Sequence, residues 1–294
     1  MPPNSPPVNP DNFRIQASAI YNYFSSTSRW YSEKLGDGSP ILTPSTSTVL
    51  GVCLHWCADC YTKDGEITKE NQQEAYAYIE EQAELNPEVM VDEVRKHLTP
   101  MWNNLKTTIQ NYPLSISEPS VAIEILPNIT VGGSIDGIRC VDGSIGYKSL
   151  EEMRGKRVTL VDWKTYGGLT APTKMPKAYE WQLLVYAYVL KKQYDITVVQ
   201  ITNTFITRNN INRPSPTNPQ KMLKDYPTKI SDVSQPISDE DLEFIESIIN
   251  LVAHSVQAYR QNPTLQYLLA QDFRLFKGPL KLESTTAELD LTDI

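Results

Sequence analysis

The chain has 294 residues, a formal net charge of −8, 40 % hydrophobic and 21 % charged residues, a composition ordinary for a soluble globular protein. The length suits one large domain or two small ones, and the acidic balance excludes a surface coated in basic residues for nonspecific nucleic-acid binding, leaving room only for local positive patches. The longest purely apolar run, Leu183 to Leu190, is far too short to span a bilayer, and no basic segment followed by an apolar stretch opens the chain, so no secretory signal and no membrane partner are expected. A cytoplasmic protein with four reduced cysteines follows.

Residues 1–12 are expected to be a disordered leader, since five of the first ten are proline. Phe13 to Leu35 has a helical pattern, and residues 36–46, rich in Gly, Pro, Ser and Thr, read as a loop. Helices are predicted near 47–62, 67–86 and 89–111. After Pro113 the character changes. Residues 119–127, 129–139 and 157–164 are rich in Val, Ile and Thr between turn residues and predict three strands. A helix over 175–193 and a strand over 195–206 follow. Residues 208–237 hold five prolines, Pro214, Pro216, Pro219, Pro227 and Pro236, and read as loop. Ser238 is a candidate N-cap for a helix over 239–261. The last thirteen residues, from Leu282, carry four acids and no base, and an acidic tail is expected over 276–294. This order predicts an α/β domain with a mixed sheet and an N-terminal helical portion.

The most informative stretch is Thr159-Leu160-Val161-Asp162-Trp163-Lys164-Thr165. Side chains alternate along a strand, so Asp162 and Lys164 share a face while Trp163 points away. In Gly132-Gly133-Ser134-Ile135-Asp136-Gly137-Ile138, Asp136 interrupts a second strand beside glycines that admit close backbone approach. If the two strands are neighbours, Asp136 and Asp162 converge, and paired carboxylates repel unless a cation lies between them. A hard divalent ion such as Mg2+ suits oxygen ligands; it can polarise a phosphoryl oxygen and acidify a bound water that Lys164 orients or deprotonates. The bland alternative is a structural ion pair at a strand end.

These segments, followed by Gln182-Leu-Leu-Val-Tyr186, resemble the RecB-type branch of the PD-(D/E)-x-K nucleases, in which an acid, a D/E-x-K strand and a Q-x-x-x-Y helix recur in this order. The resemblance spans roughly residues 13–205. It implies a restriction-endonuclease-like core, a small mixed sheet flanked by helices, within one nuclease domain over 13–275: a helical portion at 13–112, the catalytic sheet at 113–206, and a basic loop with the C-terminal helix at 207–275. It implies DNA as substrate and Asp136, Asp162, Lys164, Gln182 and Tyr186 as catalytic residues. Gly51-Val-Cys-Leu-His55 resembles a G-x-x-x-H element whose histidine is a metal ligand. His55, Asp136, Asp162 and the Trp163 backbone carbonyl would then hold Mg2+ or Mn2+. Glu124 is either a further ligand or a plain strand-edge carboxylate. Gln182 and Tyr186, four apart, share a helix face.

Some relatives hold an iron–sulfur cluster; this chain departs from them, with no cysteine after Cys140. Cys53, Cys57 and Cys60 form one narrow helical stripe opposite His55 and read as core packing, with zinc completed by Cys140 as the alternative. Arg157, Lys174, Lys177, Arg208 and Arg213 lie in basic stretches around the motifs and are candidate phosphate contacts, or ordinary solvated charge. Tyr21, Tyr23, Trp30 and Tyr31 either stack on bases or belong to the core. The reading is a metal-dependent deoxyribonuclease, an exonuclease of recombination or repair in a bacterial or phage-infected cell, working with a recombination or replication protein. Its rivals are a catalytically inactive DNA- or protein-binding member of the same fold, and an adaptor without metal affinity.

Overall fold

The computed structural model describes residues 12–27, 30, 45–167, 170–208, 214–215, 217–222 and 227–262. The chain opens with β1 (Phe13–Gln16), a 3-10 turn at Ala17–Ala19 and α1 (Ile20–Ser25). Three longer helices follow: α2 (Thr46–Asp64), α3 (Lys69–Leu85) and α4 (Val91–Asn111). Then come β2 (Ile116–Ser117), β3 (Ser120–Leu126), β4 (Ile129–Ser134), β5 (Gly137–Cys140) and β6 (Arg157–Tyr166). Helix α5 (Lys177–Tyr194) leads into β7 (Thr197–Thr207), the short β8 (Pro214–Ser215) and β9 (Asn218–Met222), β10 (Ile230–Pro236) and α6 (Asp239–Gln261).

Local chemistry sets the helix ends. Ser45 caps α2 by accepting from the Thr48 N–H, and Gly65 closes that helix in the left-handed region at φ 77°. Thr68 and Asn71 form a capping box on α3, as Ser238 and Asp241 do on α6. Helix α5 is buried at every position from Gln182 to Leu190, the mark of a helix packed on all sides.

The mixed α/β expectation holds, with two main sheets and a β8-β9 ribbon among the described residues where one sheet was expected. A five-stranded sheet runs β10-β7-β6-β5-β2, and a three-stranded sheet runs β1-β4-β3. In the larger sheet β6 and β7 are parallel and the other pairs antiparallel. The chain predicted as one strand over 129–139 is cut at Ile135–Asp136, with β4 in the small sheet and β5 in the large one. Phe13–Gln16, expected to begin a helix, is a strand parallel to β4: Ile15 is buried between exposed neighbours, a period of two rather than 3.6. Residues 208–237, expected as loop, include β10 on the free edge of β7. Pro236 ends that strand, where an edge position tolerates its missing N–H.

The five-stranded sheet separates two cores. On one face Val158, Leu160, Val198 and Ile201 pack with α5, α6 and the small sheet. On the other, Val161, Trp163 and Ile206 pack with α2, α4 and Leu114. Cys53, Cys57 and Cys60 are buried with free thiols. Cys140 belongs to the first core and Cys53 to the second, so the four do not gather. Trp30 is core and Tyr23 packs against it; Tyr31 and Arg213 lie outside the described residues. No helix among the described residues is long and apolar enough to cross a membrane.

Candidate active site

The site forms where β5 stops pairing with β6. Their register starts at Gly137 opposite Val161, so the Trp163 peptide lies past the end of the ladder and must find other partners. Its N–H donates to Asp136 Oδ2 at 2.7 Å. Its carbonyl accepts from His55 Nε2 at 2.9 Å, which assigns the proton to that nitrogen. His55 Nδ1 then faces Asp136 Oδ1 at 3.4 Å and Glu118 Oε1 at 4.0 Å. An unprotonated Nδ1 would oppose two carboxylates with a lone pair, so the imidazolium is favoured. Burial pulls the His55 pKa down, but Asp136 outweighs it and sets it at about 9. In the same way burial would raise Asp136, and His55 holds it below its ordinary value.

Asp162, 2 % exposed, lies on the neighbouring residue of β6 and faces the first core. Its Oδ1 accepts from Lys164 Nζ at 2.7 Å and from Gln182 Nε2 at 3.5 Å, and its Oδ2 accepts from Asn203 Nδ2 at 2.6 Å. Burial raises its pKa, Lys164 opposes, and Asp136 adds to the rise, giving about 6. Burial would lower Lys164, but Asp162 and Asp136 hold it above its ordinary value; its ammonium also lies 4.9 Å from the centre of the Tyr179 ring. Gln182 Nε2 reaches Tyr186 Oη at 3.4 Å. The Tyr186 hydroxyl occupies room that Gly133 leaves: a Cβ there would lie 2.6 Å from it, which is why a glycine is needed in β4.

His55, Asp136, Asp162, Trp163, Lys164, Gln182 and Tyr186 are thus brought together from α2, the β4–β5 break, β6 and α5. Among the described residues, however, the group whose ligand atoms all lie within 4.8 Å of one another is His55, Glu118 and Asp136. Asp162 lies beside it, with its oxygens turned to Lys164 and Asn203. Glu124 does not join. It stands on β3 in the other sheet, and its Oε1 accepts from Asn128 N at 2.9 Å in the β3–β4 turn.

The basic candidates divide by position. Arg157 begins β6, at the far end of that strand from Lys164, and lines a cavity with Lys191, Thr197 and Ser238. Lys174 is exposed just ahead of α5, and Lys177 starts α5 in an ion pair with Glu180 at 2.8 Å. Arg208 follows β7 at the same end of the sheet as Lys164; its N–H donates to Tyr166 O at 3.0 Å and its guanidinium donates to Ser47 Oγ in the first turn of α2.

Two residues escaped the sequence. Glu118 sits between β2 and β3 with φ 49°, a left-handed conformation uncommon outside glycine that recurs at functional sites. Burial and then Asp136 push its pKa to about 8. The signal available was a single acid before Pro119, too common to select. Asn203 lies in the middle of β7, and only the pairing of β7 with β6 reveals it.

The PD-(D/E)XK nuclease superfamily profile matches residues 14–248, most of the chain. This protein belongs to that superfamily, and its mixed sheets and flanking helices are the restriction-endonuclease-like fold expected of it. No curated protein matches the chain. Among solved structures, one from Eubacterium rectale described as a "Putative exonuclease" is 11 % identical, with 85 % of this chain and 82 % of that one covered and a TM-score of 0.49. LHK-Exo in complex with dAMP is 11 % identical over 77 % of this chain and 97 % of that one, TM-score 0.30. SSO0001 is 12 % identical over 70 % and 74 %, TM-score 0.25. Likenesses of that order carry no weight for function.

Proposed function

We propose that this nuclease is a Mg2+- or Mn2+-dependent deoxyribonuclease that hydrolyses phosphodiester bonds. The observation that carries the reading is the Trp163 peptide held between Asp136 and His55, with Asp162 and Lys164 on either side of it. The donor set suits a divalent cation. One imidazole and two carboxylates offer ligand atoms within 4.8 Å, and two carboxyl groups here are raised, Asp162 to about 6 and Glu118 to about 8, burial being the first cause and Asp136 adding to each. A cation relieves that strain. Oxygen donors suit Mg2+ or Mn2+.

His55, Asp136, Asp162 and the Trp163 carbonyl would hold the ion, with Glu118 as an added ligand. When bound, it supplies Lewis acidity toward a phosphoryl oxygen and a more acidic water. Lys164, kept cationic by Asp162 and Asp136, orients the attacking water and offsets charge on the phosphoryl oxygens. Gln182 bridges Asp162 and Tyr186 and fixes both. Lys174, Lys177 and Arg208 contact the phosphate backbone. The order His55, Asp136, Asp162-x-Lys164, Gln182-x-x-x-Tyr186 favours the RecB-like branch, and with it an exonuclease serving recombination or repair alongside a protein partner.

The test is cleavage of linear and covalently closed circular DNA with Mg2+ or Mn2+. Linear DNA is degraded and the closed circle spared. Asp162→Ala and Lys164→Ala abolish cleavage while the circular dichroism spectrum is kept. Cleavage that persists in both folded variants overturns the assignment. Metal binding without cleavage by the wild type favours an inactive DNA-binding member instead.

A further inference from the structure

We infer that Asn203 is a positioning residue that fixes the Asp162 carboxylate for divalent-cation binding, an inference that rests on the metal reading above. Asn203 is fully buried at 0 % exposure and stands directly opposite Asp162 in the parallel β6–β7 register. Its side chain shares a face of β7 with Ile201 and Phe205, which are 0 % and 1 % exposed. An apolar residue would suit that line. The amide instead donates from Nδ2 to Asp162 Oδ2 at 2.6 Å, and its own Oδ1 is buried with no partner. Turning the amide over would set oxygen against oxygen, so the donor faces the carboxylate. The polar neighbours Thr202 and Thr204 point to the opposite face and are satisfied there by Ser234 and Asp232, at 2.9 and 2.6 Å. Asn203 alone of the three is spent on the site.

The consequence is an oriented carboxylate. With Oδ2 held by Asn203, Oδ1 is the oxygen that meets Lys164 and Gln182 and the one Asp162 offers to an ion. A neutral donor does this without cancelling the charge of the ligand, which a second cation would do. Residues that hold a metal's ligands from behind commonly change metal affinity strongly when removed.

The test compares Asn203→Thr with Asn203→Val, two strand-compatible residues of one shape that differ in a hydroxyl donor. Mn2+ binding to the full chain is read directly from the electron paramagnetic resonance signal of free Mn2+, and thermal melting is recorded without metal. Asn203→Val is expected to bind Mn2+ roughly 10–100-fold more weakly than wild type, and Asn203→Thr within about threefold of it, at similar melting temperatures. An Asn203→Val affinity within about threefold of wild type overturns the inference, and so does equal weakening of both variants with a lowered melting temperature, because packing is then all that matters. Should Asn203→Val fail to fold, Asn203→Leu, which keeps the side-chain heavy-atom count and the branch at Cγ, takes its place with the same expected loss. Wild-type protein that binds no Mn2+ overturns the metal reading itself; wild-type binding with indifferent variants overturns this inference alone.

Discussion

At the residue scale the candidate site is a set of groups whose proton affinities have been moved together. His55 rises from 6.5 to about 9, Glu118 from 4.5 to about 8 and Asp162 from 3.8 to about 6. A group whose folded pKa is raised contributes stability that is complete below the unfolded value and lost as pH climbs through the folded one. All three therefore take stability from the metal-free protein as pH rises from about 4 to about 9; within the site Asp136, held low, acts the other way. A divalent cation binds the deprotonated forms, so its affinity rises across the same interval and binding releases protons. Calorimetry with Mn2+ in two buffers of different ionisation enthalpy is expected to show proton release from pH 6 to 9, and the melting gap between metal-loaded and metal-free protein should widen with pH. A gap that narrows would contradict this electrostatic account. Glu118→Gln removes one of the three groups and should reduce the released protons near pH 7. Asp162 and Lys164 were readable because strand alternation is a local rule, and Asp136 because an acid beside glycines interrupts a strand-like run. Glu118 and Asn203 were not, because each becomes part of the site through long-range contacts: Glu118 by a turn that returns the chain to Asp136, Asn203 by a strand register set across the intervening α5.

At the element scale, one of the contacts between the small sheet and α5 passes through Gly133 and Tyr186. A methyl at 133 would lie 2.6 Å from the Tyr186 hydroxyl. Gly133→Ala should therefore destabilise by about 1–3 kcal/mol, the range for overpacking, and should break the Gln182–Tyr186 bond. Tyr186→Phe removes the atom that clashes first. The double variant Gly133→Ala/Tyr186→Phe is then expected to be more stable than the sum of the single losses, by about 0.5–2 kcal/mol in a denaturation cycle. Strict additivity would mean the two residues do not press on each other. Element existence was legible in the caps and periods: Ser238 marked the start of α6, and α2 to α4 emerged close to their predicted spans. The break at Ile135–Asp136 was not, because the glycines and the acid around it suit a kink within one strand as well as a change of sheet. Only the geometry shows that one half pairs with β3 and the other with β6. Strand β10 was hidden by the prolines around it, and Pro236, its last residue, is tolerated because the strand lies at an edge.

At the scale of the whole molecule, the proposed action on DNA by a chain of net charge −8 must rely on where its cations sit. The C-terminal ends of β6 and β7 open beside Lys174, Lys177 and Arg208, while Arg157 stands at the other end of β6. Lys177 is already paired with Glu180, so its charge is partly spent, and the first turn of α2 adds peptide N–H groups beside Arg208. Each phosphate contact on duplex DNA contributes about 0.9 to the slope of log affinity against log salt concentration. Binding measured by fluorescence anisotropy, with Asp162→Ala to prevent cleavage, should lose roughly one unit of that slope in Lys174→Ala and again in Arg208→Ala. Lys177→Ala should lose less than either, because its charge is already shared with Glu180. Arg157→Ala serves as the internal control: it changes the net charge by the same amount, so an equal loss there would mean that overall charge, not placement at one end of the sheet, governs DNA binding.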